Sequence, residues 1–180
     1  MNTSLADKWI LITGASSGFG AASAIAFAKQ GAKLLLGARR LEKLEEVRSK
    51  ALAAGSPAAM VHRLDVASTE SVSAFTSWAK ARTQRVDVLL NNAGGAHGAD
   101  HVADSKDADW EAMFQSNVLG LLRVTRAVLP LMPHDAGASI IRPQFVRSKA
   151  GRQNAGLVPA PRGAACRTRR APGPVNRLAD

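Results

Sequence analysis

Trp9 to Ile12 is an unbroken apolar run that ends in Thr13-Gly14. Such a run predicts a strand buried on both faces, as in a parallel sheet, because a half-exposed strand would alternate apolar and polar positions. From Ala21 to Gln30 the period changes to that of a helix, with Ala21, Ala24, Ile25 and Ala28 on one face and Gly31 as a stop. Lys33 to Ala38 reads as a second strand. Leu41 to Ala54 reads as a charged amphipathic helix with Leu41, Leu44, Val47 and Leu52 as its apolar positions. The pattern repeats: a strand from Ala59 to Val66, a helix from Ser68 to Ala81 with Ser68 as N-cap, and a strand from Val86 to Leu90. A loop from Gly95 to about Lys106 leads into a long helix, Asp109 to Leu129, stopped near Pro130 and Pro133. Ala138 to Ile141 begins a fifth strand. Regular β-α alternation predicts an α/β fold, a doubly wound parallel sheet with right-handed crossovers that place helices on both faces.

The periodicity stops at Arg142. Beyond it proline, glycine, alanine and arginine dominate, as in Arg169-Arg170-Ala171-Pro172-Gly173-Pro174. Too little apolar area is present there to offset ordering entropy, so the expected organisation is a folded domain over 1–141 and a disordered tail over 142–180. Charge follows the same division. The whole chain carries a formal +10, but residues 1–140 hold 15 Lys+Arg against 13 Asp+Glu, and residues 141–180 hold 9 against 1. The basic balance therefore describes the tail and says little about the folded part. The tail lacks interleaved aromatics and any recognisable module, which argues against specific nucleic-acid binding. No apolar run reaches the roughly 20 residues that span a bilayer. The polar N-terminus does not read as a signal peptide, and the single Cys166 has no internal disulfide partner. A cytoplasmic location is expected.

The candidate chemistry starts at Gly14-Ala15-Ser16-Ser17-Gly18-Phe19-Gly20, between the first strand and the alanine-rich helix. Glycines there permit a tight turn and a close backbone approach, and the helix N-terminus offers free N–H groups to phosphates. A plain strand-to-helix turn is the competing reading. Three further segments change the balance: Leu64-Asp65-Val66, Asn91-Asn92-Ala93-Gly94, and Ser116-Asn117-Val118-Leu119-Gly120. With Thr13 to Gly20 they resemble, in order and at natural spacings, the motifs of the short-chain dehydrogenase/reductase (SDR) family, and the resemblance runs from Lys8 to about Ile141. It implies a Rossmann-like fold, incomplete after the fifth strand. It also implies cofactor contacts from Gly14, Ser16, Ser17, Gly18, Phe19 and Gly20, from Asp65 and Val66 near the adenine, and from Asn91, Asn92, Ala93 and Gly94 along the cleft. Asn117 matches the asparagine of the family's catalytic set. The second strand ends in Ala38-Arg39-Arg40, without the acidic residue that receives ribose hydroxyls in NAD-preferring relatives. Arg39 and Arg40 point instead to a 2′-phosphate and hence to NADP, the alternative being a solvated pair at a helix entrance.

The sequence contains no tyrosine. In the family a tyrosine, assisted by a lysine four residues later, moves the proton that accompanies hydride transfer, and a serine polarises the carbonyl. Here Ile141 is followed by Arg142-Pro143-Gln144-Phe145. Ser139 stands too early to be that serine, and Ser148 and Lys149 are adjacent rather than a turn apart. The abrupt change suggests a tail read out of frame, the alternative being a genuinely divergent tail. The expected function is an NADP(H)-dependent oxidoreductase acting by resemblance on a small alcohol or carbonyl, inactive as written. The alternative is a non-catalytic NADP-binding or interaction protein. The family forms homo-oligomers, but an incomplete interface is expected here, leaving Met113, Leu121, Val124 and Val128 short of cover. Trp110 is expected to anchor the start of the long helix by packing. His62, His97, His101 and His134 show no metal-ligand spacing.

Overall fold

The computed structural model describes residues 5–98, 101–134 and 137–143. Apart from Arg142 and Pro143, the expected tail, with Ser148, Lys149 and Cys166, lies outside them. Five strands form one parallel sheet in the order β3-β2-β1-β4-β5: β1 Trp9–Thr13, β2 Lys33–Ala38, β3 Ala59–Arg63, β4 Val88–Leu90 and β5 Ser139–Ile141. The helices are α1 Gly18–Ala28, α2 Leu41–Ala53, α3 Thr69–Lys80, α4 Asp107–Phe114 and α5 Gly120–Val128. No helix among the described residues is long and apolar enough to cross a membrane.

The continuous apolar runs are buried on both sides, and alternate residues serve two cores. Ile10, Ile12, Leu34 and Leu36 face Ala24 and Ala28 of α1 and Leu44 and Val47 of α2. Leu11, Leu35 and Leu89 face Phe75 of α3 and Val124 and Val128 of α5. Phe75 lies over Gly37, where an added Cβ would come within 2.8 Å of its ring. On α2 the buried row is Leu44, Val47 and Ala51, whereas Leu41 and Leu52 are exposed, contrary to expectation. The helical period places Ala51, not its larger neighbour, over the sheet. Ser68 caps α3 as expected, its side chain accepting from the Ser71 amide at 3.1 Å.

The expected single helix from Asp109 to Leu129 differs in the structure. It starts earlier, at Asp107, and a π turn over Gln115–Leu119 separates α4 from α5. After α5, a 3-10 turn, Leu129–Leu131, carries the chain through Pro130. Ser116 Oγ donates to the carbonyls of Ala112 (3.0 Å) and Met113 (3.3 Å), satisfying acceptors in the turn before the wider winding. The π turn also rotates one half of the rod against the other. Val124 and Val128 are fully buried against α3, which corrects the expectation that they lack cover, and Met113 and Leu121 are half-buried. The exposed apolar stripe is Trp110, Phe114, Val118 and Leu122, each 46–53% accessible. Trp110 is accordingly not a packing anchor. It lies along the surface with its indole N–H donating to Ser105 Oγ at 2.9 Å.

A buried carboxylate clips the amino ends of β1 and β4 together. Asp87, whose side chain is 3% exposed, accepts from the Trp9 amide (3.0 Å), Arg85 Nε (2.7 Å) and Lys8 Nζ (3.4 Å). Burial pushes its carboxyl up, but these three donors together hold it below the usual aspartate value. A group with a depressed folded pKa stabilises above its unfolded value, about 3.9, and that contribution is lost as pH falls through the lowered one. Because Lys8 and Arg85 keep access to water, removing the charge strands no buried cation, and the cost stays below that of a fully buried pair. Asp87→Asn is expected to cost about 1.5–3 kcal/mol at neutral pH. The difference from the parent should shrink as pH falls below about 4. Urea unfolding at pH 7 and pH 3 checks this; an equal difference at both would refute it.

Candidate functional site

The strand order reverses between β1 and β4, so the crevice beyond their carboxyl ends is a topological switch point. Two loops meet there. The first leaves β1 through Gly14 (φ +65°) and enters α1 through Gly18 (φ +55°), both in the left-handed region that glycine adopts without strain. The second, Asn91 to Gly94, leaves β4. Thr13 joins them: its Oγ1 accepts from the amides of Asn92 (3.0 Å) and Ala93 (2.9 Å), while Asn92 Nδ2 donates to the carbonyls of Thr13 (3.0 Å) and Gly14 (3.1 Å). Sequence reading assigned Thr13 no site role. Its place immediately before the glycine turn was the available signal.

The packing leaves no room for side chains at the junction. A Cβ on Gly14 would lie 2.8 Å from Ala93 Cα, and one on Gly20 would collide with the Gly14 carbonyl and lie 2.5 Å from Asn92 Nδ2. On Gly18 it would meet nothing within 4 Å, so the mouth of the turn opens outward. Gly20→Ala is therefore expected to destabilise by about 1–3 kcal/mol through overpacking against backbone, while Gly18→Ala suffers mainly from its positive φ. Thermal unfolding of the two variants checks this. Equal stability of Gly20→Ala and the parent would refute the close approach.

Around that mouth stand Ser16, half-buried, and Ser17 and Phe19, both exposed. Ser17 is the N-cap residue of α1 but makes no side-chain capping bond. Its hydroxyl instead accepts from Arg40 Nη2 at 2.8 Å, and Ser16 Oγ from the same nitrogen at 3.3 Å. The α1 first turn contains no acidic residue. Arg39 and Arg40 are exposed at the end of β2. The positive end of α1, two hydroxyls and a guanidinium thus converge in one place, a donor set complementary to phosphate. Next along the strand ends, Asp65 is fixed by its own loop: its amide donates to Ser71 Oγ (2.9 Å) and its Oδ1 accepts from the Ala67 amide (3.0 Å). Val66 is buried, with its side chain against Gly120.

Asn117 lies in the π turn. Its Oδ1 accepts from the Gly95 amide (2.9 Å) and its Nδ2 donates to the Gly95 carbonyl (2.8 Å). The carboxamide therefore clasps the loop that follows Gly94 and holds it to the helix. Asn91 donates from Nδ2 to Thr125 Oγ1 (2.9 Å), a partner on α5 that no sequence signal indicated. Its buried Oδ1 has no hydrogen-bond partner among the described residues. Ser139 pairs with Val88 at the amino end of β4, away from the cleft. His97, His101 and His134 are exposed, and among the described residues no group of three His, Cys, Asp or Glu gathers as a metal site.

A family profile described as short chain dehydrogenase matches residues 8–160, extending past Ile141, where the motif resemblance stops. The chain is 38% identical over 151 residues to the NADP-dependent 3-hydroxy acid dehydrogenase of Schizosaccharomyces pombe, covering 83% of this chain and 57% of that protein. The structure of a metagenomic short-chain oxidoreductase in complex with NADP superimposes with a TM-score of 0.71 at 34% identity, over 78% of this chain and 63% of that one. An NADH-dependent reductase, A1-R′, complexed with NAD superimposes with a TM-score of 0.66 at 30% identity, over 73% of this chain and 54% of that one. The chain spans about half the length of the curated relatives it matches.

Proposed function

The chain belongs to the short chain dehydrogenase family, and on that premise we propose that it binds NADP(H) at the crevice between β1 and β4 but turns over carbonyl or alcohol substrates slowly or not at all. Relatives of one fold bind NAD in one case and NADP in another, so the fold does not choose between them. The choice rests on the residues at the end of β2. The observation that carries the reading is Arg40 drawn across the glycine turn onto Ser16 and Ser17, with exposed Arg39 beside it and no carboxylate in the α1 first turn. A ribose 2′-phosphate finds charge-assisted donors there, whereas a bare 2′-hydroxyl finds no acceptor of the kind an aspartate offers.

The remaining roles follow from position. Gly14, Gly18, Phe19 and the first turn of α1 would border the pyrophosphate, and Asp65 and Val66 the adenine. Asn91, Asn92, Ala93 and Gly94 would form the floor under the nicotinamide ribose. NADP(H), when bound, supplies or accepts hydride. Asn117 holds the loop at Gly95 and so keeps the mouth of the cleft in shape, but both ends of its carboxamide are engaged in doing so. The sequence offers no tyrosine to move the accompanying proton. The expected substrate class, small alcohols or carbonyls, and the whole-protein activity are carried over from the family. A non-catalytic role for NADP binding fits the same residues.

Titration of the 180-residue chain with NADPH and NADH, followed by nucleotide fluorescence, tests the proposal. NADPH should bind at least about tenfold more tightly, equivalent to about 1.4 kcal/mol. Equal affinities, or tighter NADH binding, would overturn it.

A further inference from the structure

The π turn brings together two residues that a regular α-helix holds apart. Residues eight apart on an α-helix are offset by about 80° around its axis, whereas residues seven apart lie within about 20° of each other. A π turn takes up one extra residue, so Gln115 and Arg123, eight apart and on either side of the turn, align as a pair seven apart does. Arg123 uses that alignment. Its Nη2 donates to Gln115 Oε1 at 2.8 Å and its Nη1 to the Gln115 carbonyl at 3.3 Å. The same carbonyl accepts the Gly120 amide, the hydrogen bond that closes the wide turn. On the inner side the turn is pressed against Val66: a Cβ on Gly120 would lie 2.8 Å from Val66 Cγ2 and 3.0 Å from its carbonyl. Between these two anchors stands Asn117, both ends of its carboxamide on Gly95. Its Oδ1 lies so close over Gly94 that a Cβ there would collide with it.

We propose that Arg123 is a positioning residue for the cleft: by clamping Gln115 it selects the π winding over the α winding, and so sets the rotation at which Asn117 meets the loop at Gly95. The two windings are discrete. If the turn closed as regular α-helix, everything before it would rotate by about 100°, one residue's step, relative to α5. Gln115 and Arg123 would then no longer face each other, and Asn117 would turn away from Gly95. The clamp therefore stabilises one winding only. Ser116 does not make this choice, because its bonds to the carbonyls of Ala112 and Met113 are local ones that an α-helix also permits. Arginine suits the task, since its planar fork reaches two acceptors of one residue, where the point charge of a lysine holds them less well. The consequence for binding rests on the cofactor reading above, in which Asn91 to Gly94 border the nicotinamide ribose. Loosening the clasp at Gly95 should weaken the hold on that half of the nucleotide and leave the phosphate end, at Arg39 and Arg40, unchanged.

Amide hydrogen exchange of the 180-residue chain reads the clamp directly, because the Gly95 amide donates to Asn117 and the Gly120 amide to Gln115. In Arg123→Ala both amides should exchange about tenfold faster, the scale of one lost hydrogen bond, while Leu11 and Leu35 in the strands keep their protection. Gln115→Ala, which leaves the carbonyl contact, should do less, and should add nothing in the Arg123→Ala background. Gln115→Glu keeps an acceptor for the fork and should behave as the parent. Asn117→Ala should release Gly95 but not Gly120. Unchanged Gly95 exchange in Arg123→Ala overturns the proposal, and so does equal acceleration at Leu11 and Leu35, which would make Arg123 a support of the whole fold. A second readout separates positioning from support. Arg123→Ala should weaken NADPH binding about threefold to tenfold, and binding of 2′,5′-ADP, which lacks the nicotinamide half, less than about twofold. Equal losses, or none, overturn the role in the cleft. If the parent binds neither nucleotide the cofactor reading falls, and exchange at Gly95 and Gly120 still decides whether Arg123 sets the winding.

Discussion

Mixed with saturating NADPH and a small aldehyde or ketone, the 180-residue chain is expected to turn over at least about 10²-fold, and up to about 10⁴-fold, more slowly than full-length relatives, the range that a positioned general acid contributes. Hydride delivery to a carbonyl leaves an alkoxide that must be protonated. The residue that does this in the family is a tyrosine, and the chain has none. The described residues offer no substitute in the cleft. Asn117 is committed at both ends to Gly95, and its carboxamide does not titrate. His97 lies on an exposed loop, where solvent access removes the advantage of a fixed donor. Stopped-flow measurement of NADPH oxidation, with substrates drawn from small aldehydes and hydroxy-acid precursors, checks the expectation. A rate within tenfold of full-length relatives would refute it and would require a proton donor from outside the described residues. Unimpaired NADPH binding in the same sample separates this outcome from failure to hold the cofactor.

The second large effect concerns cofactor discrimination. Replacing both Arg39 and Arg40 by alanine is expected to weaken NADPH binding about 100-fold and NADH binding less than threefold. Hydrogen bonds to charged groups contribute about 1.5–3 kcal/mol each. Both side chains are exposed, so values at the low end apply, and two such contacts give close to the 2.7 kcal/mol that a hundredfold requires. Arg40 should carry the larger share because it is already held over the glycine turn by Ser17 and Ser16. The single variants separate the two. The preference for NADPH should also decline with added salt in the parent and hardly at all in the double variant, since only the phosphate contact is screened. Isothermal titration at two salt concentrations reads both effects. Equal losses for NADPH and NADH would mean that the arginines act on the fold rather than on the phosphate.

How much of this was legible in advance depends on the range of the interaction. The strands and their burial on both faces followed from apolar runs such as Trp9 to Ile12 and Lys33 to Ala38. The glycine turn followed from spacing alone, because a glycine at a positive φ is a local backbone requirement. The N-cap at Ser68 was local in the same way. The errors were of a different kind. Reading Asp109 to Leu129 as one α-helix misplaced its exposed face, because the π turn at Gln115–Leu119 has no strong sequence mark and shifts every later residue around the rod. Leu41 and Leu52 were assigned to the core by hydrophobicity, although the position over the sheet belongs to Ala51.

The sequence by itself determined the alternation of strands and helices, the sites of the glycine turn and the arginine pair, and the absence of a tyrosine. Each is a property of neighbouring residues or of composition. Only the tertiary structure decided that Thr13 and Asn92 lock the two cleft loops together, that Asn117 is spent on Gly95, and that Asp87 is buried among three donors. The physical reason is that hydrogen-bond satisfaction and side-chain burial are settled between groups such as Thr13 and Asn92, 79 residues apart. The chain's local preferences bring such groups within reach, and the packing of the sheet then selects which of them meet.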